Sequence, residues 1–229
     1  MIYKENQVYN IDCLEFMKNI PDNYFDLIIT DPPYGIGESM NNHKSRGKNA
    51  VGFNKSKRNS LAVSKDYGYS EWDSKIPSKE IFKEMLRVSK NQIIFGGNYF
   101  IEYLNNSPCW IVWDKDNGTN DFADCELAYT SFNTAVRKIK YRWHGMLQER
   151  MNWKEKREHP TQKPVPLGHW LLDNYAKDGD KIFDPFSGSG SFLVASKNKG
   201  FSFVGCEIST EYCKIIKKRL NQSNLNSFT

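Results

Sequence analysis

The chain has 229 residues, 39% hydrophobic, 26% charged and 14% aromatic, proportions that exclude a largely disordered chain and suit one α/β domain with a real core. Its 32 basic and 27 acidic residues leave a formal charge of +5, too mild a total to name a partner by itself. Five cysteines (Cys13, Cys109, Cys125, Cys206, Cys213) form no C-x-x-C pair, which argues against a zinc site or a secreted disulfide framework and for a reducing compartment. The N-terminus lacks the basic-then-apolar build of a signal peptide, and no apolar run reaches membrane-spanning length, so a cytoplasmic protein without a membrane segment is expected.

Short apolar runs bounded by turns predict strands over residues 7–11, 25–30, 92–95, 110–113, 127–132, 181–183 and 201–206. Between them, Ser78 can cap a helix whose Ile81, Phe82, Met85 and Leu86 share one face, and Leu167, Trp170 and Leu171 mark a second that stops near Gly179. A third is predicted from Ser191 to Lys199, ending at Gly200, and a fourth from Thr210 to Leu220 behind a Ser209 cap. This alternation predicts an α/β layer structure on a doubly wound, mostly parallel sheet. No internal repeat or linker is visible, so residues 1–229 read as a single domain.

The distribution of charge says more than its total. Between Ser39 and Lys65 stand seven basic residues (Lys44, Arg46, Lys48, Lys55, Lys57, Arg58, Lys65) and no acid, without apolar periodicity, which reads as a mobile basic loop. From Arg137 to His159 there are eight basic residues against three acidic, with Tyr141, Trp143 and Trp153 among them; the rest of the chain is net −7. A charge run can be a plain solvated face, but two cationic segments on an acidic body, one bearing aromatics able to stack on bases, point to a polyanion. Lys44, Arg46, Lys48, Lys55, Lys57, Arg58, Arg142 and Trp143 are the candidate nucleic-acid contacts.

Three motifs sit at predicted strand ends. The strand ending at Thr30 runs into Asp31-Pro32-Pro33-Tyr34, where two prolines stop the strand and bias Asp31 toward an extended conformation. Such a stiff loop at the carboxyl edge of a sheet presents one carboxylate, carbonyls without competing N–H donors, and an aromatic face; a plain Pro-rich turn is the structural alternative. The strand at 181–183 feeds Asp184-Pro185-Phe186-Ser187-Gly188-Ser189-Gly190, a glycine loop before a helix that lacks the Gly-Lys-Ser/Thr of a phosphate-binding P-loop and is by itself weak evidence. Glu207, ending the next strand, is placed to accept both hydroxyls of a ribose, and the pair implies an adenosine-containing cofactor. His159-Pro160-Thr161-Gln162-Lys163-Pro164 precedes a helix and reads equally as a rigid helix entry.

Taken together, D-P-P-Y at 31–34, H-P-T-Q-K-P at 159–164 and D-P-F-S-G-S-G at 184–190 followed by Glu207 resemble the amino-group DNA methyltransferases that use S-adenosylmethionine, with the motif order of the permuted β subclass. The resemblance spans about residues 7–220. It implies a Rossmann-like class I methyltransferase fold with a seven-stranded sheet, one late strand antiparallel. It assigns Asp184, Pro185, Phe186, Ser187, Gly188, Ser189 and Gly190 to the methionine part of the cofactor, Glu207 to its ribose, and Asp12 and Cys13 to the neighbourhood of its adenine. Asp12 could equally be a helix cap. Thr161, Gln162 and Lys163 match the loop that closes over the methionine end.

The resemblance also implies the chemistry. Asp31, which lies beside the cofactor too, and the Pro32 carbonyl accept the two N–H groups of an exocyclic amine and aim its lone pair; Pro33 stiffens the loop and Tyr34 stacks on a base flipped out of the duplex. No metal takes part, and the Pro108-Cys109 pair is read as a strand start and not as a cysteine nucleophile. D-P-P-Y leans toward the N6 of adenine in double-stranded DNA, with cytosine N4, RNA adenine and a non-catalytic nucleic-acid-binding subunit as rivals. Only residues 137–158 are available for target recognition, so either recognition is short or a partner subunit or second protomer contributes. A cognate restriction endonuclease is a further expected partner.

Overall fold

The run Phe25-Asp-Leu-Ile-Ile-Thr30 alternates too little to leave one face wet, and as β2 (Phe25–Thr30) it lies at the centre of the sheet with Leu27, Ile28 and Ile29 fully buried. The computed structural model describes residues 3–36, 75–117, 123–144, 147–159 and 161–222. In chain order these form β1 (Gln7–Tyr9), α1 (Cys13–Met17), β2, α2 (Lys79–Val88), β3 (Ser89–Phe95), β4 (Trp110–Asp114), β5 (Cys125–Thr130), β6 (Arg137–Lys140), β7 (Trp143–His144), β8 (Leu147–Gln148), α3 (Val165–Tyr175), β9 (Lys181–Asp184), α4 (Ser191–Asn198), β10 (Ser202–Cys206) and α5 (Thr210–Gln222). Among them no helix is long and apolar enough to cross a membrane.

Eight strands make one sheet in the order β1-β10-β9-β2-β3-β5-β4-β6, and β7 and β8 form a separate hairpin. All ladders are parallel except those on either side of β5, so the expected mostly parallel sheet with one antiparallel strand is the sheet observed. The count differs from the expected seven because β6 adds an edge strand beside β4. Its sequence, Arg-Lys-Ile-Lys, buries only Ile139, and an edge strand needs no more than that.

Chain direction decides where the loops meet. From β2 the chain returns to the sheet at β3 on one side, and from β9 at β10 on the other, so the β2/β9 boundary is the point where winding reverses. In open α/β sheets that crevice, at the carboxyl ends of the strands, is where ligands bind. Reversal of β5 has a second effect: its amino end lies at the same edge, with Glu126 opposite Trp113 near the end of β4.

Two apolar layers hold the sheet. On one side Leu27, Ile29, Ile93 and Phe95 join one cluster with Leu171 of α3, Leu193 of α4 and Ile216 of α5. Elsewhere Phe16, next to fully buried Met17 in α1, stacks on Phe183, which stacks on Phe25 with centroids 4.4 Å apart, while Phe82 of α2 packs on Phe100. Helix α2 buries Phe82, Met85 and Val88, a spacing of three that marks its inward stripe; Ser78 stands at its N-cap position, but its side chain makes no capping bond. Residues 33–76 form a compact unit of their own, of which 33–36 and 75–76 are described: there Gly35, at φ 70°, lies against Ile76, whose backbone nitrogen would be 2.9 Å from an added Cβ. The expected basic loop, with Lys44, Arg46, Lys48, Lys55, Lys57 and Arg58, lies outside the described residues.

Candidate active site

The parallel order β10-β9-β2 puts the chain segments after all three strands at one edge, and side chains tie them together. Thr30, the last residue of β2, donates its hydroxyl to Asp184 Oδ1 at 2.8 Å. Asp184, the last residue of β9, is 1% exposed; it also receives the Phe186 amide at 3.2 Å, and Ser187 Oγ donates to its carbonyl at 2.9 Å. Glu207, one residue beyond β10, accepts the Gly188 amide on one carboxylate oxygen and the Ser209 amide on the other, each at 2.8 Å. Gly188 and Gly190 have φ of 51° and 78°, values that carry a Cβ penalty, and an added Cβ at Gly190 would also stand 2.9 Å from two atoms of Ile216. Glycine is therefore required at 190 for conformation and for close packing, whereas at 188 the space in front of the backbone is open.

Burial raises the pKa of Asp184 to about 7, and the negative charges of Asp31 and Glu207 push in the same direction, against the bonds from Thr30 and Phe186. Glu207 is likewise raised by burial. An acidic crevice behind a glycine loop suits a ligand that brings positive charge, and disfavours a nucleotide whose main charge is phosphate. S-adenosylmethionine carries a sulfonium and an ammonium, so Asp184 to Gly190 together with Glu207 fit that cofactor.

Asp31 directly follows Thr30 and is paired with the Lys163 ammonium. Lys163, 6% exposed, also reaches Glu126 Oε2 at 3.1 Å and lies 5.3 Å from the Phe95 ring centroid. Burial opposes its charge, but the two carboxylates hold its pKa above the ordinary lysine value. Pro32 is buried. Pro33 and Tyr34 belong to the unit of residues 33–76 and are half-buried.

The H-P-T-Q-K-P segment does several separate jobs. Gln162 is 4% exposed and knits its own loop: Oε1 accepts the Glu158 amide at 2.8 Å, and Nε2 donates to Glu155 Oε1 at 2.8 Å. Thr161 Oγ1 lies 3.1 Å from His159 Nδ1, whose ring packs on Tyr212. Burial, with the charges of Lys163 and Arg157 nearby, lowers His159 to about 4 and keeps it neutral. Of the three residues expected over the methionine end, Lys163 faces Asp31 and Gln162 is committed to backbone and side-chain groups of its own loop.

Other expected residues sit elsewhere. Asp12 caps α1, accepting the Leu14 and Glu15 amides at 2.9 and 3.1 Å, and Cys13 is buried behind it with its thiol pushed up to about 12. Trp143 corrects the expectation of a base-stacking ring: it is 6% exposed, and its indole N–H donates to the Gln162 carbonyl at 2.7 Å, so it belongs to the core. Arg142 is half-exposed and paired with Asp116, which also holds Lys140 at 2.8 Å, while Lys138 reaches Asp114 at 3.2 Å. The cations of β6 and its extension therefore face acids at the end of β4, which weakens the positive field read from their sequence.

Sequence reasoning passed over three residues: Thr30, Glu126 and Arg219. Arg219 of α5 donates to the Ser189 carbonyl at 2.6 Å, to Ser189 Oγ at 3.0 Å, and to Glu155 Oε1 at 2.6 Å, clamping the glycine loop to the segment before Thr161. Thr30 could have been noticed as the polar end of an apolar strand. Glu126 and Arg219 carry no local signal, because both act across long sequence separations.

Comparisons with known proteins bear on the fold and on the kind of protein the chain resembles. A family model described as DNA methylase, for N6 and N4 methyltransferases, matches residues 115–218, which contain the glycine loop, Glu207 and the Lys163 segment. Over those residues the chain is similar to the N6/N4 amino-methyltransferases. Type II methyltransferase M.HpaI of Haemophilus parainfluenzae is 27% identical over 256 residues, covering 95% of this chain and 74% of that protein. The crystal structure of the M1.HpyAVI complex with S-adenosylmethionine is 23% identical, covers 93% of this chain and 99% of its own, and superposes with a TM-score of 0.55. PvuII DNA methyltransferase, cytosine-N4-specific, is 13% identical, covers 94% and 91%, and has a TM-score of 0.54. These two structural likenesses show the fold, a mostly parallel α/β sheet shared with solved methyltransferases.

Proposed function

We propose that this protein is an adenine-specific DNA methyltransferase that transfers a methyl group from S-adenosylmethionine to the N6 amine of an adenine flipped out of duplex DNA. The observation that carries the reading is the joining of the D-P-P-Y strand to the glycine-loop strand, through the bond from Thr30 to Asp184, at the point where the sheet's winding reverses. When bound, the cofactor would supply a methyl on a sulfonium, the C–S bond breaking as the C–N bond forms and sulfur leaving as a neutral thioether, while the proton shed by the methylated amine passes to the Asp31 carboxylate and on to water.

The chain's own residues then have the remaining work. An exocyclic amine is a poor nucleophile because its lone pair is delocalised into the ring. Asp31 and the Pro32 carbonyl, accepting its two N–H groups, favour a more tetrahedral nitrogen and direct the lone pair, which is catalysis by positioning and electrostatics. Tyr34 supplies an aromatic face for the extruded base. Asp184 to Gly190 hold the methionine part of the cofactor and Glu207 its ribose, while Asp12 and Cys13 border the adenine. The aspartate of D-P-P-Y supports adenine over cytosine; the order with D-P-P-Y before the glycine loop supports the permuted subclass; and the basic residues 39–65 supply phosphate contacts.

Purified protein incubated with labelled cofactor and mixed-sequence duplex DNA, followed by digestion to nucleosides, tests this reading. N6-methyldeoxyadenosine is the expected product. N4-methyldeoxycytidine in its place would overturn the adenine assignment, preference for structured RNA in competition would overturn the substrate, and cofactor binding without any methylated product would reduce the chain to a binding subunit.

A further inference from the structure

Four charged side chains alternate in sign across the site edge: Asp31 after β2, Lys163 before α3, Glu126 on β5 and Lys115 just beyond β4. Lys163 pairs with Asp31 and with Glu126, and Glu126 pairs with Lys115, whose ammonium lies 5.3 Å from the Trp113 ring centroid. Asp31 belongs to D-P-P-Y and Lys163 to H-P-T-Q-K-P; Glu126 and Lys115 belong to no motif.

Stability does not account for such a string. Taking charges out of water is costly, and apolar residues of similar volume usually serve a core as well or better. Geometry gives another reason. The ammonium grips Asp31 through Oδ2, which sets the rotation of the carboxylate. A lysine on a flexible four-carbon stem cannot hold that position with one anchor, because ordering its rotamers costs free energy. Glu126 is the second anchor, and it stands on a strand hydrogen-bonded on both sides, opposite Trp113.

We propose that Glu126 is a positioning residue for methyl transfer: acting through the Lys163 ammonium, it sets the orientation in which the Asp31 carboxylate accepts the target amine. The inference rests on the methyltransferase reading above. It assigns Lys163 to the catalytic carboxylate, with Glu126 as the member of the string that keeps it there. The titratable and charged groups facing these side chains are Lys115 beside Glu126, Asp184 from the end of β9 on Asp31, and the neutral His159, itself next to Arg157, beside Lys163.

The test compares Glu126→Gln with the parent for kcat, cofactor Kd and the pH profile of kcat. The expected result is a kcat lowered about tenfold or more with cofactor Kd within about twofold. A fall in kcat should also appear on the alkaline side, where the parent is still flat, because the ammonium has lost one of its two carboxylates. In a Lys163→Met background the same substitution should change kcat by less than about twofold, since its route of action is gone. Where Glu126→Gln does not fold, Glu126→Asp takes its place, with a lowered kcat, unchanged cofactor Kd and the same silence beside Lys163→Met expected. Equal losses in kcat and cofactor affinity with the pH profile unmoved, or an undiminished effect in the Lys163→Met background, overturn the proposal and leave Glu126 a structural residue. Parent protein that methylates no nucleic acid overturns the methyltransferase reading and this inference with it; an active parent whose kcat is unaffected by loss of Glu126 overturns this inference alone.

Discussion

The Thr30 hydroxyl lies 2.8 Å from Asp184 Oδ1, joining residues 154 positions apart at the last step of two adjacent parallel strands. D-P-P-Y begins one residue after Thr30 and the glycine loop begins at Asp184 itself, so this bond sets the spacing between the candidate catalytic carboxylate and the cofactor loop. Thr30→Val keeps the shape and removes the donor, leaving a buried carboxyl short of a partner; a loss of about 1–3 kcal/mol is expected. Denaturant unfolding measures it, and a midpoint equal to that of the parent would show the bond to be dispensable.

Asp184 sets a pH dependence whose sign can be worked out. Its pKa, about 7 in the folded chain, is near 3.9 in an unfolded one, so between these values the folded state keeps a proton that the unfolded state has released. Its contribution is complete below about pH 4 and is lost as pH rises through 7, by on the order of 4 kcal/mol in total. Asp184→Asn keeps an acceptor for Thr30 and cannot ionise. The variant's stability relative to the parent should therefore climb between pH 4 and pH 7 and level off above, while cofactor binding weakens. A difference that stays constant across that range would contradict the assignment.

The two glycines of the loop should respond differently to a methyl group. Gly190→Ala meets both an unfavourable φ of 78° and Ile216 at 2.9 Å, whereas Gly188→Ala meets a φ of 51° and open space. The first should cost roughly 2–4 kcal/mol and the second about 1 kcal/mol. Melting temperatures of the two variants, recorded without cofactor, should rank accordingly. In the presence of cofactor Gly188→Ala should lose affinity, because its added methyl enters the open side of the loop.

Removal of Arg219 leaves the partly buried Glu155 without its cation and frees the Ser189 carbonyl. Arg219→Ala should cost about 1–3 kcal/mol, below the range for breaking a fully buried ion pair from one side because both side chains keep some contact with water. Arg219→Lys should recover little of it, since one ammonium cannot reproduce a guanidinium fork that bonds Ser189 and Glu155 together. If cofactor affinity is unchanged in the lysine variant, the clamp does not shape the glycine loop.

Asp31→Ala should abolish methyl transfer to DNA while cofactor affinity changes much less. Equal loss of both, measured by product formation and equilibrium binding, would make Asp31 chiefly a cofactor residue.

Much of the sheet was legible in the chain. Strand β2 occupies the residues its apolar run predicts, β9 and β10 lie within one residue of theirs, and α4 and α5 begin at the predicted Ser191 and Thr210. Strand β6 was missed because Arg-Lys-Ile-Lys has one apolar residue, and an edge position is what makes that sufficient. Helix α1 was missed because five residues show too little period, although its capping residue, Asp12, had been recognised as one of two readings.

The sequence by itself determined the strand-loop-helix punctuation that puts D-P-P-Y and the glycine loop after strands, since proline, glycine and apolar runs act on their own backbone. Only the tertiary structure decided which charges meet. Lys163 faces Asp31 from 132 positions away, Glu126 reaches the same edge because β5 runs backwards, and Trp143 turns inward to bond the Gln162 carbonyl. Periodicity and turn chemistry are local, whereas the pairing of buried charges depends on strand order and direction, which no short window of sequence contains.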